Sequence, residues 1–456
     1  MPEIVIQGIP IRFPFEPYDL QRDYMTKVIE CLQSSSNGAL ESPTGTGKTL
    51  CLLCATLGWL EYKKASIQAD YAAAAKQGYG PAPAGDVGAA AGGFTPAVGD
   101  AGAGWGAVGG NPRIIYSSRT HAQLSQAIGE LKRTSYNYMK VSVLGSRDQL
   151  CIHPEVSKEL NNNTKQHMCQ LRVKSKTCYF YNQVEGKKDD PFLKTEVLDL
   201  EDLVKYGRRR TCCPYYLARD LRQEADIIFM PYNYLLDPRI RKAHGIELRG
   251  YVVILDEAHN IEKICEESAS LQLRSTDIAM CIEEVTQVMQ KLTENGGEME
   301  AFAAANDPAS EAPQDFSVED LYILKTLFLQ FEQAVDAIPV STEGQSYPGS
   351  FMFDLLEKAE IVPSKKPVIC DLLDKLVQYL TSSSSSPFQR KGAGLQKFSD
   401  LIKIVFSKDN FTLEHMNAIK KSYRVHVAVE DPRKRGGWGG GAGAKQGENN
   451  GGGTWG

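Results

Sequence analysis

Three short, nearly continuous apolar runs punctuate the first 260 residues: Arg113-Ile-Ile-Tyr-Ser-Ser, Asp226-Ile-Ile-Phe-Met and Tyr251-Val-Val-Ile-Leu. Their length and lack of alternation predict strands buried on both faces of a parallel sheet. Leu50–Leu60 is a longer apolar run that opens a helix directly behind a Gly-rich loop. After Asn260 the period becomes helical: Leu321, Leu324, Phe328, Phe331, Val335 and Ile338 recur every three or four positions, which places them on one helix face. Ser317 followed by Asp320 supplies a capping signature ahead of that face. The pattern is α/β, a P-loop parallel sheet followed by a helical region.

The pattern fails in three places. Between Tyr71 and Gly110, 25 of 40 residues are Ala or Gly. So few large apolar side chains cannot offset the entropy of ordering, so 64–112 reads as a disordered surface insertion. Ser382–Ser386 marks a loop, and 431–456 is a Gly-rich tail read as disordered. Roughly 146–214 is polar and basic, with no clear sheet pattern.

Composition narrows the class. An apolar content of 42% and a charged content of 23% are ordinary for a soluble protein. No stretch approaches about 18 uninterrupted apolar residues, and the start Met-Pro-Glu-Ile-Val lacks the basic and apolar parts of a signal peptide. A cytosolic or nuclear setting follows, where the eleven cysteines are not expected to form disulfides. The net charge of −5 is uneven: Arg113 to Arg249 carries 24 Lys/Arg against 16 Asp/Glu, a local +8. That segment is either a polyanion-binding face or merely a solvated surface.

Two motifs carry chemistry. Glu41-Ser-Pro-Thr-Gly-Thr-Gly-Lys-Thr49 is a Walker A loop in which Ser42 stands at the usual first glycine. Ser42, Pro43, Thr44, Gly45, Thr46 and Gly47 form the phosphate cradle, and the two glycines let backbone N–H groups face phosphate oxygens. Lys48 would hold the β- and γ-phosphates of ATP and Thr49 would ligate Mg²⁺. Val252-Val-Ile-Leu-Asp-Glu-Ala-His259 puts carboxylates at the end of a strand, Asp256 to hold Mg²⁺ and Glu257 to orient and deprotonate the attacking water. Gln21, about twenty residues before the loop, is either an adenine-edge reader or a plain surface glutamine. Arg119, Thr120 and Gln123 follow a strand and offer contacts to a nucleic-acid backbone, or form a neutral loop.

Between these motifs lie Cys151, Cys169, Cys178 and Cys213, spaced x17, x8 and x34. No close pair of the C-x₂₋₄-C kind occurs, and spacing alone leaves an iron–sulfur cluster, zinc and free buried thiols level. Cys212 and Cys213 are adjacent, so their side chains diverge and one of them is favoured as a ligand; Cys213, directly before Pro214-Tyr-Tyr, is preferred. Arg147, Arg172, Lys174, Lys176 and Arg208–Arg210 interleave with Tyr179, Phe180 and Tyr181. Such positive charge with stackable rings suits single-stranded nucleic acid, Arg147 and Tyr181 being the leading contacts.

The motifs Phe13-Pro-Phe-Glu-Pro-Tyr, Glu41–Cys54, Cys151-Ile-His-Pro-Glu-Val, Cys213-Pro-Tyr-Tyr-Leu-Ala-Arg, Met230-Pro-Tyr-Asn-Tyr-Leu-Leu-Asp and Leu255-Asp-Glu-Ala-His-Asn-Ile-Glu resemble the iron–sulfur DNA helicases of superfamily 2, the xeroderma pigmentosum group D type. The resemblance implies a RecA-like domain (1–145 and 215–260), an inserted iron–sulfur domain (146–214) and a helical arch (261–430). It implies a 4Fe–4S cluster on Cys151, Cys169, Cys178 and Cys213, and ATP- and Mg²⁺-dependent 5′→3′ unwinding. Single-stranded DNA would pass through a hole between the cluster domain and the arch. Single-stranded and branched DNA would be the partners, with replication or repair proteins beside them. Nuclear roles in telomere maintenance, repair and recombination control follow, with no membrane.

The helicases of this group carry a second RecA-like domain that closes the ATP cleft, and its motifs do not occur in this sequence. The expectation is therefore weak nucleotide binding and no translocation by this chain alone. Two other readings stand beside the helicase: a catalytically silent DNA- or partner-binding module with a structural cluster, and a zinc-stabilised nucleotide hydrolase.

Overall fold

The computed structural model describes residues 2–76, 111–159, 162–302, 316–340, 344–382, 392–406 and 412–429. The chain divides into two compact units, Met1–Leu271 and Gln272–Gly456.

The first unit opens with an antiparallel hairpin, β1 (Glu3–Ile6) and β2 (Ile9–Arg12). Its two-residue turn, Gln7-Gly8, has both φ angles positive, as a tight hairpin requires. Ile9 and Ile11 of the hairpin bury against Met25 and Ile29 of α1 (Asp19–Gln33) and Leu53, Leu57 and Leu60 of α2 (Lys48–Lys76). Helix α2 continues through 64–76, within the segment expected to be disordered. Lys64 pairs with Asp226, and the Ala-rich continuation costs little because propagating an anchored helix is easier than nucleating one. Residues 77–110, the rest of that expected insertion apart from Asn111 and Pro112, lie outside the described residues, as does 431–456.

The sheet of this unit is parallel and ordered β4-β5-β3-β6, from β3 (Arg113–Ser118), β4 (Val141–Val143), β5 (Ile227–Pro231) and β6 (Tyr251–Leu255). Helix α3 (His121–Arg133) joins β3 to β4. Strand β5 is buried throughout, and β3 in all but Arg113, as their unbroken apolar runs predict. The two-sided burial expected of Tyr251–Leu255 is not met. β6 is the edge strand of the described sheet, and Val253 and Leu255 are 39% and 36% exposed.

The cysteine segment is helical. Between β4 and β5 run α4 (Arg147–Leu150), α5 (Asn162–Lys174), α6 (Tyr179–Asn182), α7 (Pro191–Thr195), α8 (Leu200–Arg210) and α9 (Pro214–Leu221). After β5 come α10 (Tyr232–Leu236) and α11 (Pro238–Ala243), and after β6 comes α12 (Ile261–Ala269). Helix α12, expected with the arch, packs on α10 within the first unit.

The second unit contains α13 (Ser275–Phe302), α14 (Val318–Asp336), α15 (Ser350–Lys358), α16 (Lys366–Ser382), α17 (Ala393–Val405) and α18 (Leu413–Ser422). A small antiparallel pair, β7 (Gln345–Pro348) and β8 (Arg424–Val427), completes it. The Ser317–Asp320 capping box starts α14, and its stripe of Leu321, Leu324, Phe328 and Phe331 is buried. Phe328 and Phe331 both meet Phe398 of α17 edge-on, with ring centroids 4.8 and 5.5 Å apart. No helix among the described residues is long and apolar enough to cross a membrane.

Glu284 of α13 is buried and accepts the backbone N–H groups of Gly394 (3.4 Å) and Leu395 (3.0 Å), capping α17 from a neighbouring helix. Gly394 permits that approach, because a Cβ there would lie 2.9 Å from the backbone nitrogen of Cys281. Replacing Glu284 with Ala strands these donors. It is expected to destabilise the helical unit by about 1–3 kcal/mol in urea unfolding, with Gln intermediate.

His244, which follows α11, packs on Tyr234 at 4.7 Å and has its Nδ1 buried without a partner. Burial, then Arg219, Arg147 and Arg222, push its pKa down from 6.5 to about 4. The unfolded chain takes a proton that the folded one refuses, so stability must fall as pH drops from 6.5 toward 4. A decline of about 1–2 kcal/mol across that window, flattened in His244→Phe, is the expected urea-midpoint result.

Candidate functional site

The nucleotide motifs meet at the carboxyl ends of β3 and β6. Register pairs Tyr116 with Ile254 and Ser117 with Leu255, so Asp256 emerges one step past the paired strands, its N–H donating to Ser117 O at 2.9 Å. Across from it, the loop of Ser42–Gly47 turns into the N-terminus of α2. Gly45 and Gly47 adopt φ of 83° and 76°, which only glycine takes freely, and so turn the loop back on itself. The helix start behind them is a ready anion site.

Inside the loop, Ser42 Oγ meets Thr46 Oγ1 at 2.7 Å, and Lys48 Nζ donates to the carbonyls of Ser42 (3.0 Å) and Pro43 (3.3 Å). The lysine is thus held over the loop mouth by groups that a phosphate would replace. Gln21, 4% exposed, has both ends of its amide engaged: Oε1 accepts Tyr18 N–H at 3.1 Å and Nε2 donates to Thr46 O at 2.9 Å. It ties α1 to the phosphate loop, a role neither of the two sequence readings anticipated.

Burial pushes the Asp256 carboxyl up, with Glu257 adding to this, while Tyr116 and Lys48 pull against it. Glu257 sits at a left-handed φ of 57°, where the chain leaves the strand, and its Oε2 lies 3.3 Å from His259 Nδ1. Three tyrosines that the motif reading passed over surround Asp256. Tyr232 donates to its backbone carbonyl, burial and then Asp256 push Tyr24 up to about 12, and Tyr116 lies beneath. One sequence signal pointed to Tyr116: a hydroxyl in a strand buried on both faces needs a polar neighbour.

The proposed nucleic-acid contacts divide. Arg119 is exposed and donates to Asn260 Oδ1 at 3.2 Å. Thr120 and Gln123 form the capping box of α3, with Thr120 Oγ1 accepting Gln123 N–H at 3.3 Å and Gln123 Oε1 accepting Thr120 N–H at 3.1 Å. Their polar atoms serve the helix end. Arg147 is half-buried with its guanidinium 4.2 Å from the centre of the Tyr215 ring, and Tyr181 packs edge-on against Tyr216 at 4.6 Å.

Cys151, Cys169, Cys178 and Cys213 line one small cavity with Ile152, Val156, Phe180 and Tyr216. Three of the thiols are delivered by helix ends, and Cys169 projects from within α5. Cys151 follows α4, Cys178 follows the left-handed Lys176 after α5, and Cys213 follows the left-handed Thr211 that ends α8. Cys213 N–H donates to Phe180 O at 2.9 Å, which fixes its position. Burial pushes Cys151 up and Cys213 up to about 12, and each is further raised by other thiols of the cavity. Cys212 is buried elsewhere, with Lys187 and Asp220 as its charged neighbours. Among the described residues, no three His, Cys, Asp or Glu side chains converge on a single point. All eleven cysteines are free thiols.

Residues 116–278 match the DEAD_2 family model and residues 280–451 match the model described as "RTEL1 helicase, ARCH domain". Three proteins called "Regulator of telomere elongation helicase 1 homolog" align along nearly the whole chain. The one from Drosophila persimilis is 50% identical over 98% of this chain and 43% of its own length. Those from Aedes aegypti and Drosophila melanogaster are 46% and 49% identical, over 95% and 98% of this chain and 43% and 44% of their own lengths. The chain belongs to the RTEL1-type helicase family. It spans less than half the length of these relatives. A solved chain titled "XPD_Helicase" aligns with 85% of this chain and 51% of its own at 19% identity and a TM-score of 0.40. In this RTEL1-type chain, the DEAD_2 match spans the cysteine cavity and the Asp256 end of the nucleotide site.

The wall of that cavity depends on a close approach of α8 to α9. A Cβ on Gly207 would lie 2.5 Å from Pro214 Cγ and 2.7 Å from Cys212 O. Gly207→Ala is therefore expected to destabilise the first unit by about 1–3 kcal/mol in chemical denaturation, with Gly207→Ser no better tolerated.

Proposed function

We propose that this chain works as the nucleotide- and DNA-engaging part of an ATP-dependent 5′→3′ DNA helicase that carries a 4Fe–4S cluster. The observation that carries the reading is the joint placement of Lys48 and Asp256 about one sheet end, with four cysteines around a single cavity in a segment inserted into the same unit. Lys48 would leave the Ser42 and Pro43 carbonyls to hold the β- and γ-phosphates. Glu257, turned out of the strand, would orient water and take its proton. Thr49 and Asp256 would hold Mg²⁺, which when bound neutralises charge on the phosphates. The cluster, on Cys151, Cys169, Cys178 and Cys213, would cross-link three helix ends and the body of α5. Arg119 and the exposed Tyr179 remain available to a single strand of DNA, whereas Tyr181 would shape the cavity wall and Arg147 would brace Tyr215. Action at telomeres is supported by the names of the relatives, and a nuclear place and a part in recombination control would follow from such action.

Anaerobic purification followed by iron analysis and a single-stranded-DNA-stimulated ATPase assay tests the proposal. The expected protein is brown, with about four irons that Cys178→Ser loses, and its slow ATP turnover falls roughly 10²-fold or more in Lys48→Ala. A colourless protein holding one zinc would remove the cluster. Turnover indifferent to Lys48 would remove the nucleotide site.

A further inference from the structure

Helix α5 carries Cys169 into the cysteine cavity, yet among its described residues it buries no apolar side chain. Met168 and Val173 are half-buried and Leu171 is 43% exposed. Its buried side chain is a charged one: Lys165 is 5% exposed and donates to Asp148 Oδ1 of α4. Two turns further on, Arg172, which also lines the cavity, donates to Glu155 Oε2. Lys165, Cys169 and Arg172 are spaced four and three apart, so they share one face of α5. Their carboxylate partners bracket Cys151 in the same way, Asp148 three residues before it and Glu155 four after. The two ion pairs therefore flank the two thiols.

We propose that these two ion pairs clamp α5 in register against 148–155. Cys151 and Cys169 then reach the cavity together before any iron is bound, and Lys165 is the positioning residue of the clamp. Its bearing on iron uptake rests on the cluster reading above. A buried ammonium tolerates no slip, because one step along the helix would leave it unpaired in a dry site. Exchanging such a pair for apolar groups commonly leaves stability unchanged; what is lost is the register that the pair enforced. The Arg172–Glu155 pair is more open, with the Glu155 side chain 65% exposed. Salt weakens it first, so the lysine carries most of the constraint. Cys213 is set differently, by its N–H on Phe180 O within a buried wall.

The test treats the full metal-free chain and its Lys165→Met, Lys165→Arg and Glu155→Gln variants with a short bis-maleimide that bridges neighbouring thiols. Peptide mass spectrometry scores the Cys151–Cys169 bridge. Anaerobic reconstitution with ferrous iron and sulfide is followed in parallel by visible absorption, and each metal-free protein is melted. Lys165→Met is expected to slow both bridging and reconstitution about tenfold, with a melting midpoint equal to or above that of the unaltered chain. Lys165→Arg should keep most of both rates, and Glu155→Gln should lose about twofold. A lysine serving only general stability would instead lower the midpoint. Bridging unaffected by Lys165→Met overturns the clamp, as does an equal loss in Lys165→Arg at an unchanged midpoint. If Lys165→Met melts early, Glu155→Gln and the salt dependence of bridging in the unaltered chain decide, and no decline in either overturns the clamp. No iron uptake by the unaltered chain, with bridging still dependent on Lys165, overturns the cluster reading and upholds the clamp.

Discussion

The pairing of β3 with β6 is the constraint on which the functional surface depends. Parallel register brings the ends of both strands to one edge, so the chain leaving β6 must release Asp256 and Glu257 beside Ser117 and Ser118. The helix that starts at Lys48 packs its apolar face on the same core, which fixes its N-terminus near that edge. Phosphate cradle and carboxylates therefore face each other although about two hundred residues separate them in sequence. The cost is desolvation of Asp256, which Tyr116 and Lys48 oppose.

The cysteine segment uses a different device. Its helices are short and polar, and three of its four thiols sit at their ends, with Cys169 inside α5. Left-handed turns at Lys176 and Thr211 stop α5 and α8 and redirect the chain toward the cavity, a conformation that costs a non-glycine residue about 1 kcal/mol. Gly207 then lets α9 approach closely enough to set Cys213. The segment leaves the sheet after β4 and re-enters it at β5, adjacent strands, so it can be elaborated without disturbing their pairing. In the helical unit an analogous economy appears: Glu284 caps α17 from α13, so one side chain satisfies a helix end and links two helices.

Much was legible in the sequence because the relevant physics is local. Phosphate loops need glycine at fixed offsets, buried parallel strands need unbroken apolar runs, and the Ser317–Asp320 cap needs only four residues. The opposed fates of Gln21, Thr120 and Gln123 were not legible. An amide or hydroxyl near a motif reads the same whether it faces a ligand or ties down its own backbone, and here all three tie down backbone. Arg147 and Tyr181 likewise read as surface contacts, yet packing sets Arg147 on the Tyr215 ring and turns Tyr181 into the cavity wall.

The sequence by itself determined the chemistry on offer: a phosphate-binding loop, a strand-end carboxylate pair, four widely spaced thiols and an amphipathic helical region. Tertiary structure decided which groups share a space. It chose Cys213 over Cys212 for the cavity, carried α2 through residues expected to be disordered, gave α12 to the first unit and buried Tyr116 under Asp256. Each of these outcomes depends on contacts between residues far apart in the chain. Periodicity and spacing report only neighbours, and burial, direction and register arise when the elements pack.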